Sequence, residues 1–386
     1  MKYKVVIGLN TAWNLYNFRA GLISALVERG YEVIAIAPQD EYVDRIKKLG
    51  CRFIPLSMDN QGTHPGKDLR LLWNFFILLR KERPDIFLGY TVKPNIYGSL
   101  AAQALDIPVI NNISGLGSVF INNGFLARIV RNLYRFALLH SAKVFFQNED
   151  DLNLFVSEKL VEKGKVGLLP GSGVNINRFK YSELINKKIN TYGENSLRNF
   201  QFLLVARLLW DKGVGEFVEA ARQLRDRYPS AQFNLLGFVD VQNPAAISHK
   251  EVRSWVDEGI VSYLGSTDDI RYYIADADCV VLPSYREGTP RTLLEAAAIG
   301  RPIITTDVPG CREVVDNGVN GYLCKVRDSL DLADKMECMI MQTHEQCIEM
   351  GRQGRKKAEQ QFDERIVVQE YLDIIKNKIG ANICAD

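Results

Sequence analysis

Two carboxylates and two cations, each pair at a fixed spacing, are the residues of this 386-residue chain best suited to chemistry. Glu287 and Glu295 bracket the stretch Glu287-Gly288-Thr289-Pro290-Arg291-Thr292-Leu293-Leu294-Glu295, which follows the apolar run Cys279-Val280-Val281-Leu282. A short Val-rich run bounded by Pro283-Ser284 predicts a buried parallel strand. Thr289 then acts as N-cap with Pro290 at the first helical position, and Gly300 with Pro302 ends the helix. Residues 291–299 are apolar on almost every side except at Glu295, and a carboxylate buried without donors is costly. Its donors are either a core arginine or the hydroxyls of a bound ligand. Glu287, Gly288 and the free amides of the helix start face the region beyond the strand's carboxyl end, where open α/β sheets bind ligands and helix N-termini attract anions. The alternative for Glu287 is a solvated loop position. Arg207 and Lys212, in Ala206-Arg207-Leu208-Leu209-Trp210-Asp211-Lys212-Gly213, lie between a predicted strand and a predicted helix. Cations at a helix N-terminus are unfavourable unless an anion is present, so this pair points to an anionic ligand.

The elements that must position these groups alternate along the whole chain. Buried strands are predicted at 4–9, 33–37, 53–56, 85–89, 109–112, 143–147 and 166–169, separated by helical patterns near 18–30, 40–49, 68–83, 95–105, 125–140 and 149–163. A polar segment, 181–199, reads as an interdomain linker. Alternation restarts with strands at 202–206, 233–237, 261–264, 279–282 and 302–305, interleaved with helices from 213 and at 248–258, 268–276 and 290–299. The fold class is therefore α/β, with two doubly wound domains and a cleft between them. A single glycine in Gly8-Leu9-Asn10-Thr11-Ala12 argues against a dinucleotide dehydrogenase.

Length and composition agree with two domains: 386 residues exceed what one core usually supports, and 47% hydrophobic with 24% charged residues is ordinary for a soluble globular protein. No targeting segment is read, and the longest apolar cluster, 71–79, is too short to span a bilayer. Seven cysteines without a C-x-x-C pair and four histidines without H-E-x-x-H fit reduced thiols in a cytoplasmic protein, with no metal site expected. Residues 1–180 hold 23 Lys/Arg and 15 Asp/Glu, a net +8, and residues 181–386 hold 25 and 31, a net −6. No acid occurs between Asp106 and Glu149, a stretch containing Arg128, Arg131, Arg135 and Lys143. A basic first half suits an anionic surface or a phosphorylated lipid, and no nucleic-acid motif accompanies the charge.

The E-x7-E spacing of Glu287 and Glu295, together with the Arg207/Lys212 signature, resembles the retaining glycosyltransferases of family 4, which have the GT-B fold. The similarity extends over the chain, through Gly89-Tyr90-Thr91-Val92-Lys93-Pro94-Asn95-Ile96-Tyr97-Gly98, Ser114-Gly115-Leu116-Gly117 and Asn243-Pro244-Ala245-Ala246-Ile247. It is strongest toward bacterial transferases acting on undecaprenyl-diphosphate-linked sugars. The resemblance implies an acceptor-binding Rossmann-like domain over 1–185, a nucleotide-sugar-binding one over 186–360, and a C-terminal helix, 361–386, crossing back to the first. It places Arg207 and Lys212 at the donor diphosphate, Glu287 at the donor sugar and Glu295 at the ribose. Gly288, Thr289, Pro290, Arg291, Gly237 and Thr11 complete the donor contacts. It also implies retention of anomeric configuration without a metal or other cofactor, a UDP-sugar donor, and a donor phosphate oxygen that takes the acceptor's proton.

Two departures mark the acceptor side. Many family members carry His-Gly where this chain has Ser114-Gly115, and paired glycines where it has Thr11-Ala12. Asn10, Thr11, Ser114 and Gly115 are candidate acceptor contacts or plain turn residues. Lys93 and Arg19 either meet an acceptor diphosphate or pair with acids. Two segments, 69–83 with Trp73, Phe75 and Phe76, and 125–143 with Arg128, Arg131 and Arg135 on one face and apolar residues opposite, either pack in the core or touch membrane. The implied partners are a nucleotide sugar, a lipid-linked saccharide and a membrane surface, for a protein peripheral to the cytoplasmic face of the cell membrane. Rival readings are a transferase with a soluble sugar acceptor, a non-catalytic partner subunit of the same fold, and a nucleotide-sugar epimerase.

Overall fold

Short β-branched and aromatic runs between amphipathic helices produce two parallel sheets, each belonging to a separate unit of the chain. The computed structural model describes residues 2–59, 64–116, 125–181, 199–241 and 243–383.

The first unit comprises Met1–Ser172 and Glu364–Asp386. Its strands are β1 (Lys4–Gly8), β2 (Glu32–Ala37), β3 (Arg52–Pro55), β4 (Ile86–Tyr90), β5 (Val109–Ile113), β6 (Lys143–Phe146) and β7 (Val166–Leu168). They pair in parallel in the order β3-β2-β1-β4-β5-β6-β7. Strand order reverses between β1 and β4, which makes the carboxyl ends of those two strands the natural ligand crevice. Helices α1 (Ala12–Glu28), α2 (Val43–Lys47), α3 (Pro65–Glu82), α4 (Ser99–Gln103), α5 (Phe125–Leu138) and α6 (Glu149–Ser157) cover the two faces. Side-chain alternation sorts them. Val5, Ile7, Val33 and Ala35 pack with α1, whereas Val6, Ile34, Ile36 and Phe87 pack with Leu71, Phe75 and Leu79 of α3. Val144 and Phe146 meet Tyr134, Ala137 and Leu138 of α5 on the same side as α3. A single π-helical turn, Pro94–Gly98, leads into α4.

The second unit, Gly173–Asp363, carries β8 (Gln201–Val205), β9 (Gln232–Leu236), β10 (Ser262–Tyr263), β11 (Cys279–Leu282), β12 (Ile303–Thr306) and β13 (Gly321–Cys324). They form a parallel sheet in the order β10-β9-β8-β11-β12-β13, with the reversal between β8 and β11. Around it lie α7 (Val214–Leu224), α8 (His249–Asp257), α9 (Arg271–Asp276), α10 (Arg291–Ile299), α11 (Ser329–Met341) and α12 (His344–Gln361). Helix α13 (Glu364–Ile383) returns to the first unit, where Val367, Tyr371, Leu372, Ile375 and Ile379 join the α1 core.

The units divide at Ser172, upstream of residue 185, because Val174, Ile176 and Phe179 are buried in the second unit's core. The return to the first unit begins at Glu364 instead of 361, and the linker expected at 181–199 falls almost wholly outside the described residues. Phe75 is fully buried while Trp73 is exposed, so the outward face of α3 differs from the aromatic cluster read in the sequence. On α5 the three arginines do not act alike: Arg131 Nε turns to Glu158 at 2.8 Å, and apolar residues share the exposed side with Arg128 and Arg135. Among the described residues no helix is long and apolar enough to cross a membrane.

Candidate functional site

Helix α7 begins after a tight turn, Trp210–Lys212, that the chain enters from β8 and leaves through Gly213. Gly213 has φ 73°, and a Cβ there would lie 2.0 Å from the Pro283 carbonyl oxygen. Only glycine lets the two backbones approach this closely. The contact brings Lys212 to the carboxyl end of β11, next to β8 at the strand-order reversal. Two hydrogen bonds fasten the loops together: Tyr285 N–H donates to Asp211 O at 2.9 Å, and Ser284 Oγ donates to the same carbonyl at 3.2 Å.

Within this junction Lys212 Nζ forms an ion pair with Glu287 Oε1, and Ser284 Oγ lies 2.9 Å from the same oxygen. Glu287 is therefore no solvated loop residue. Its own backbone is fixed, since its N–H donates to Pro309 O at 3.2 Å and a Cβ on Gly310 would strike the carbonyls of Glu287 and Gly288. Buried Cys311 lies nearby. Burial first and the Glu287 charge second push its thiol up to about 12, which leaves it inert as a nucleophile. Arg207, just beyond the end of β8, is exposed and takes part in no ion pair among the described residues. Of the two predicted cations, Lys212 is thus already neutralised, and Arg207 is not by any ion pair among the described residues.

Helix α10 starts one residue later than its sequence suggests. Pro290 (φ −72°, ψ 117°) is the N-cap and Thr289 precedes it, because the extended ψ of Pro290 lies outside the helical range. The Pro290 carbonyl receives the Leu293 and Leu294 amides at 3.0 and 3.4 Å. Glu295 is buried, and Arg291 Nε donates to its Oε1 at 2.8 Å one turn away. Arg291 is thereby the carboxylate's partner, the arginine alternative for satisfying this acid. Burial still holds the Glu295 carboxyl above its ordinary range, against the opposing pull of Arg291.

Gly237 has a packing reason of its own: with φ 152°, a Cβ would lie 1.7 Å from Ala206 O. Its presence is explained by the β8–β9 contact without a ligand. In the first unit Thr11 caps α1, its side chain accepting from Asn14 N–H at 3.0 Å, and Asn10 Oδ1 accepts from Asn14 Nδ2 at 2.6 Å. Both follow β1 at the reversal point. Lys93 Nζ pairs with Asp68 Oδ1 at 2.6 Å, so of its two readings the structure supports the acid partner. Arg19 is buried with its guanidinium 4.2 Å from the centroid of the Tyr90 ring. Ser114 and Gly115 follow β5, with Ser114 exposed and Gly115 at φ 130°.

Lys212, Ser284 and Glu287 are brought together, and Glu295 with Arg291 forms a neighbouring pair on α10. Sequence reasoning missed Ser284, Gly213 and Gly310. The signals were present but weak: Pro283-Ser284 read only as a strand boundary, and Gly213 only as a helix start.

Comparison with known proteins adds independent information. Residues 199–342 match the family described as Glycosyl transferases group 1, and residues 18–171 match a Glycosyl transferase 4-like domain. The chain is 32% identical over 378 residues to the N,N'-diacetylbacillosaminyl-diphospho-undecaprenol alpha-1,3-N-acetylgalactosaminyltransferase of Campylobacter jejuni, covering 94% of this chain and 97% of that one. It is 26% identical over 325 residues to the UDP-Gal:alpha-D-GlcNAc-diphosphoundecaprenol alpha-1,3-galactosyltransferase of Escherichia coli, covering 81% of each. Among solved structures, Anabaena HepE in complex with UDP superposes with a TM-score of 0.77 at 19% identity, covering 98% of this chain and 100% of that one.

Proposed function

Because this chain belongs to the glycosyltransferases and has their GT-B fold, we propose that it transfers a hexose or N-acetylhexosamine from a UDP-sugar to an undecaprenyl-diphosphate-linked saccharide, retaining the anomeric configuration. The product serves a surface polysaccharide or glycan. The observation that carries the reading is the junction at the β8–β11 reversal, where Gly213 lets the Lys212 turn pack against Pro283 and Lys212 pairs with Glu287.

As the anomeric bond breaks, negative charge grows on the departing UDP. Arg207 and Lys212 meet that charge, and such preorganised groups typically supply on the order of 10²–10³ in rate each. Glu287 accepts hydrogen bonds from hydroxyls of the donor sugar. Glu295, with Arg291 holding one oxygen, offers the other to the ribose hydroxyls. Gly288 and the amides that open α10 add donors for the phosphates, with Thr289 and Pro290 shaping that entry. A donor phosphate oxygen takes the proton of the attacking acceptor hydroxyl on the same face, and the positive charge needed comes from Arg207 and Lys212 without a metal. Asn10, Thr11, Ser114 and Gly115 line the acceptor side. The names of both curated relatives specify diphospho-undecaprenol-linked acceptors, which supports the lipid-linked class. The basic first half supports work as a peripheral protein on the cytoplasmic face of the cell membrane.

The test is turnover with a panel of UDP-hexoses and UDP-N-acetylhexosamines, with and without a short-chain polyprenyl-diphosphate sugar, reading UDP and lipid-linked product by mass spectrometry. Acceptor-dependent UDP release with retention is expected. Transfer of equal efficiency to a free soluble sugar would overturn the acceptor assignment, and no turnover with any donor would overturn the reaction.

A further inference from the structure

The junction beyond the carboxyl end of β11 holds a hydroxyl with more acceptors than it can serve. Ser284 is fully buried, so solvent offers its hydroxyl no alternative partner. Two oxygens lie within its reach, Asp211 O at 3.2 Å and Glu287 Oε1 at 2.9 Å. A serine hydroxyl carries one proton, and a carbonyl and a carboxylate both only accept. Ser284 therefore donates to one of the two at any moment.

Each acceptor has another donor, which makes either choice tenable. Asp211 O receives the Tyr285 N–H at 2.9 Å, and Glu287 Oε1 receives Lys212 Nζ. When Ser284 serves the carbonyl, the carboxylate keeps the lysine. When Ser284 serves the carboxylate, the carbonyl keeps the amide. The surrounding backbone is held in both cases, because Thr306 Oγ1 donates to Ser284 O and Thr305 Oγ1 donates to Leu282 O at 2.7 Å. Rotation of one hydroxyl about its Cβ–Oγ bond separates the two states, and no backbone atom has to move.

A lysine that turns from Glu287 to a diphosphate leaves Oε1 with one donor fewer, and a buried acceptor short of a donor is costly. We propose that Ser284 is a positioning residue that takes over Glu287 Oε1 when Lys212 turns to the donor diphosphate, swinging its proton away from Asp211 O. Glu287 thereby keeps its place beside the sugar hydroxyls while the cation is released to the phosphates. One hydrogen bond is exchanged for another, with no proton transferred. Lys212 meeting the diphosphate is the premise taken from the transfer reading, and its release through Ser284 is the addition.

Isothermal titration calorimetry with UDP reads the exchange. Ser284→Ala removes the replacement donor, while the Asp211 carbonyl keeps the Tyr285 amide, and thermal denaturation checks that the variant is folded. UDP is expected to bind Ser284→Ala roughly tenfold more weakly than the parent chain, the worth of one hydrogen bond to a charged group. Ser284→Cys, a weaker donor on the same stem, should fall between the two and takes the place of the alanine variant if that one does not fold. In a Glu287→Gln background no carboxylate has to be resupplied, so the same alanine change is expected to alter UDP affinity by less than about twofold. A purely structural serine would weaken binding equally in both backgrounds, and that result would overturn the proposal. Parental UDP affinity in Ser284→Ala would overturn it too, and would leave transfer standing if the parent turns over. A parent that binds UDP with the expected pattern yet transfers no sugar would overturn the reaction and uphold the exchange. A parent that binds no UDP would overturn both.

Discussion

Replacing Glu287 by Gln separates two roles that one ion pair combines. Lys212 and Glu287 are both largely buried, and the Lys212 ammonium is committed to the carboxylate when no donor is present. If Lys212 is to meet a diphosphate, it must give up that carboxylate or share itself with it. A hydrogen bond between charged groups is worth about 1.5–3 kcal/mol net. The pair retains some solvent access, so the lower end applies, about 1.5 kcal/mol, which is roughly tenfold in affinity. Glu287→Gln keeps the shape and the Ser284 contact but removes the competing charge. UDP is therefore expected to bind the variant about tenfold more tightly by isothermal titration calorimetry. Turnover should fall by roughly 10²–10³, because the amide no longer accepts from the sugar hydroxyls as a carboxylate does. Lys212→Met is the opposing control and should weaken UDP binding. Unchanged or weaker UDP binding by a folded Glu287→Gln variant would refute the reasoning, because Lys212 would then be a fixed partner of Glu287 that never turns to the phosphate.

Three further outcomes follow from the same geometry. Arg207→Ala should lower kcat by roughly 10²–10³ without a change in melting temperature, since the side chain is exposed and in no ion pair among the described residues, and steady-state kinetics with thermal denaturation would check both. Gly213→Ala should cost at least roughly 1–3 kcal/mol from its left-handed backbone and the Pro283 clash, lowering the melting temperature by several degrees and detaching the Lys212 turn; a parent-like melting curve would contradict it. The Glu295 carboxyl has a folded pKa raised by burial, so its contribution to stability is fully present below the ordinary glutamate value, about 4.3, and is lost as pH rises through the raised value. Melting temperature should accordingly decline across that window, and Glu295→Gln should flatten the decline.

Much of this was legible in sequence where one physical signal dominated. The apolar run at 279–282 and the restart of alternation at 202 gave strands that lie next to one another at the reversal in the second sheet. Glu295 stood out because a lone acid on an apolar helix has few solutions, and one of the two anticipated solutions, an arginine, is the one observed. What was illegible depends on contacts between distant backbones. Gly213 against Pro283, Gly237 against Ala206 and Gly310 against Glu287 are constraints that no local pattern encodes. The shift of the α10 cap from Thr289 to Pro290 turned on a single ψ angle. Strand β13 escaped because Gly321-Tyr322-Leu323-Cys324 is short and half-exposed, and the early start of α1 because Thr11 was weighed as a ligand contact before its capping role.

The return of α13 to the first unit has a consequence for how the molecule comes into being. The chain leaves that unit at Ser172 and re-enters it at Glu364, so the second unit is an insertion whose segment, Gly173–Asp363, is continuous. During synthesis the inserted unit has its whole sequence available before the surrounding one does, although translation begins with the latter. The α1 core waits for Tyr371, Leu372 and Ile375, the side chains that close it. Until they emerge, the face of α1 that they cover stays wet, an interval in which a nascent first unit is open to chaperones and to aggregation. A chain ending at residue 363 would thus present a finished second unit attached to an unfinished first one, and pulse proteolysis of such a truncated chain should cut the first 172 residues and spare the rest.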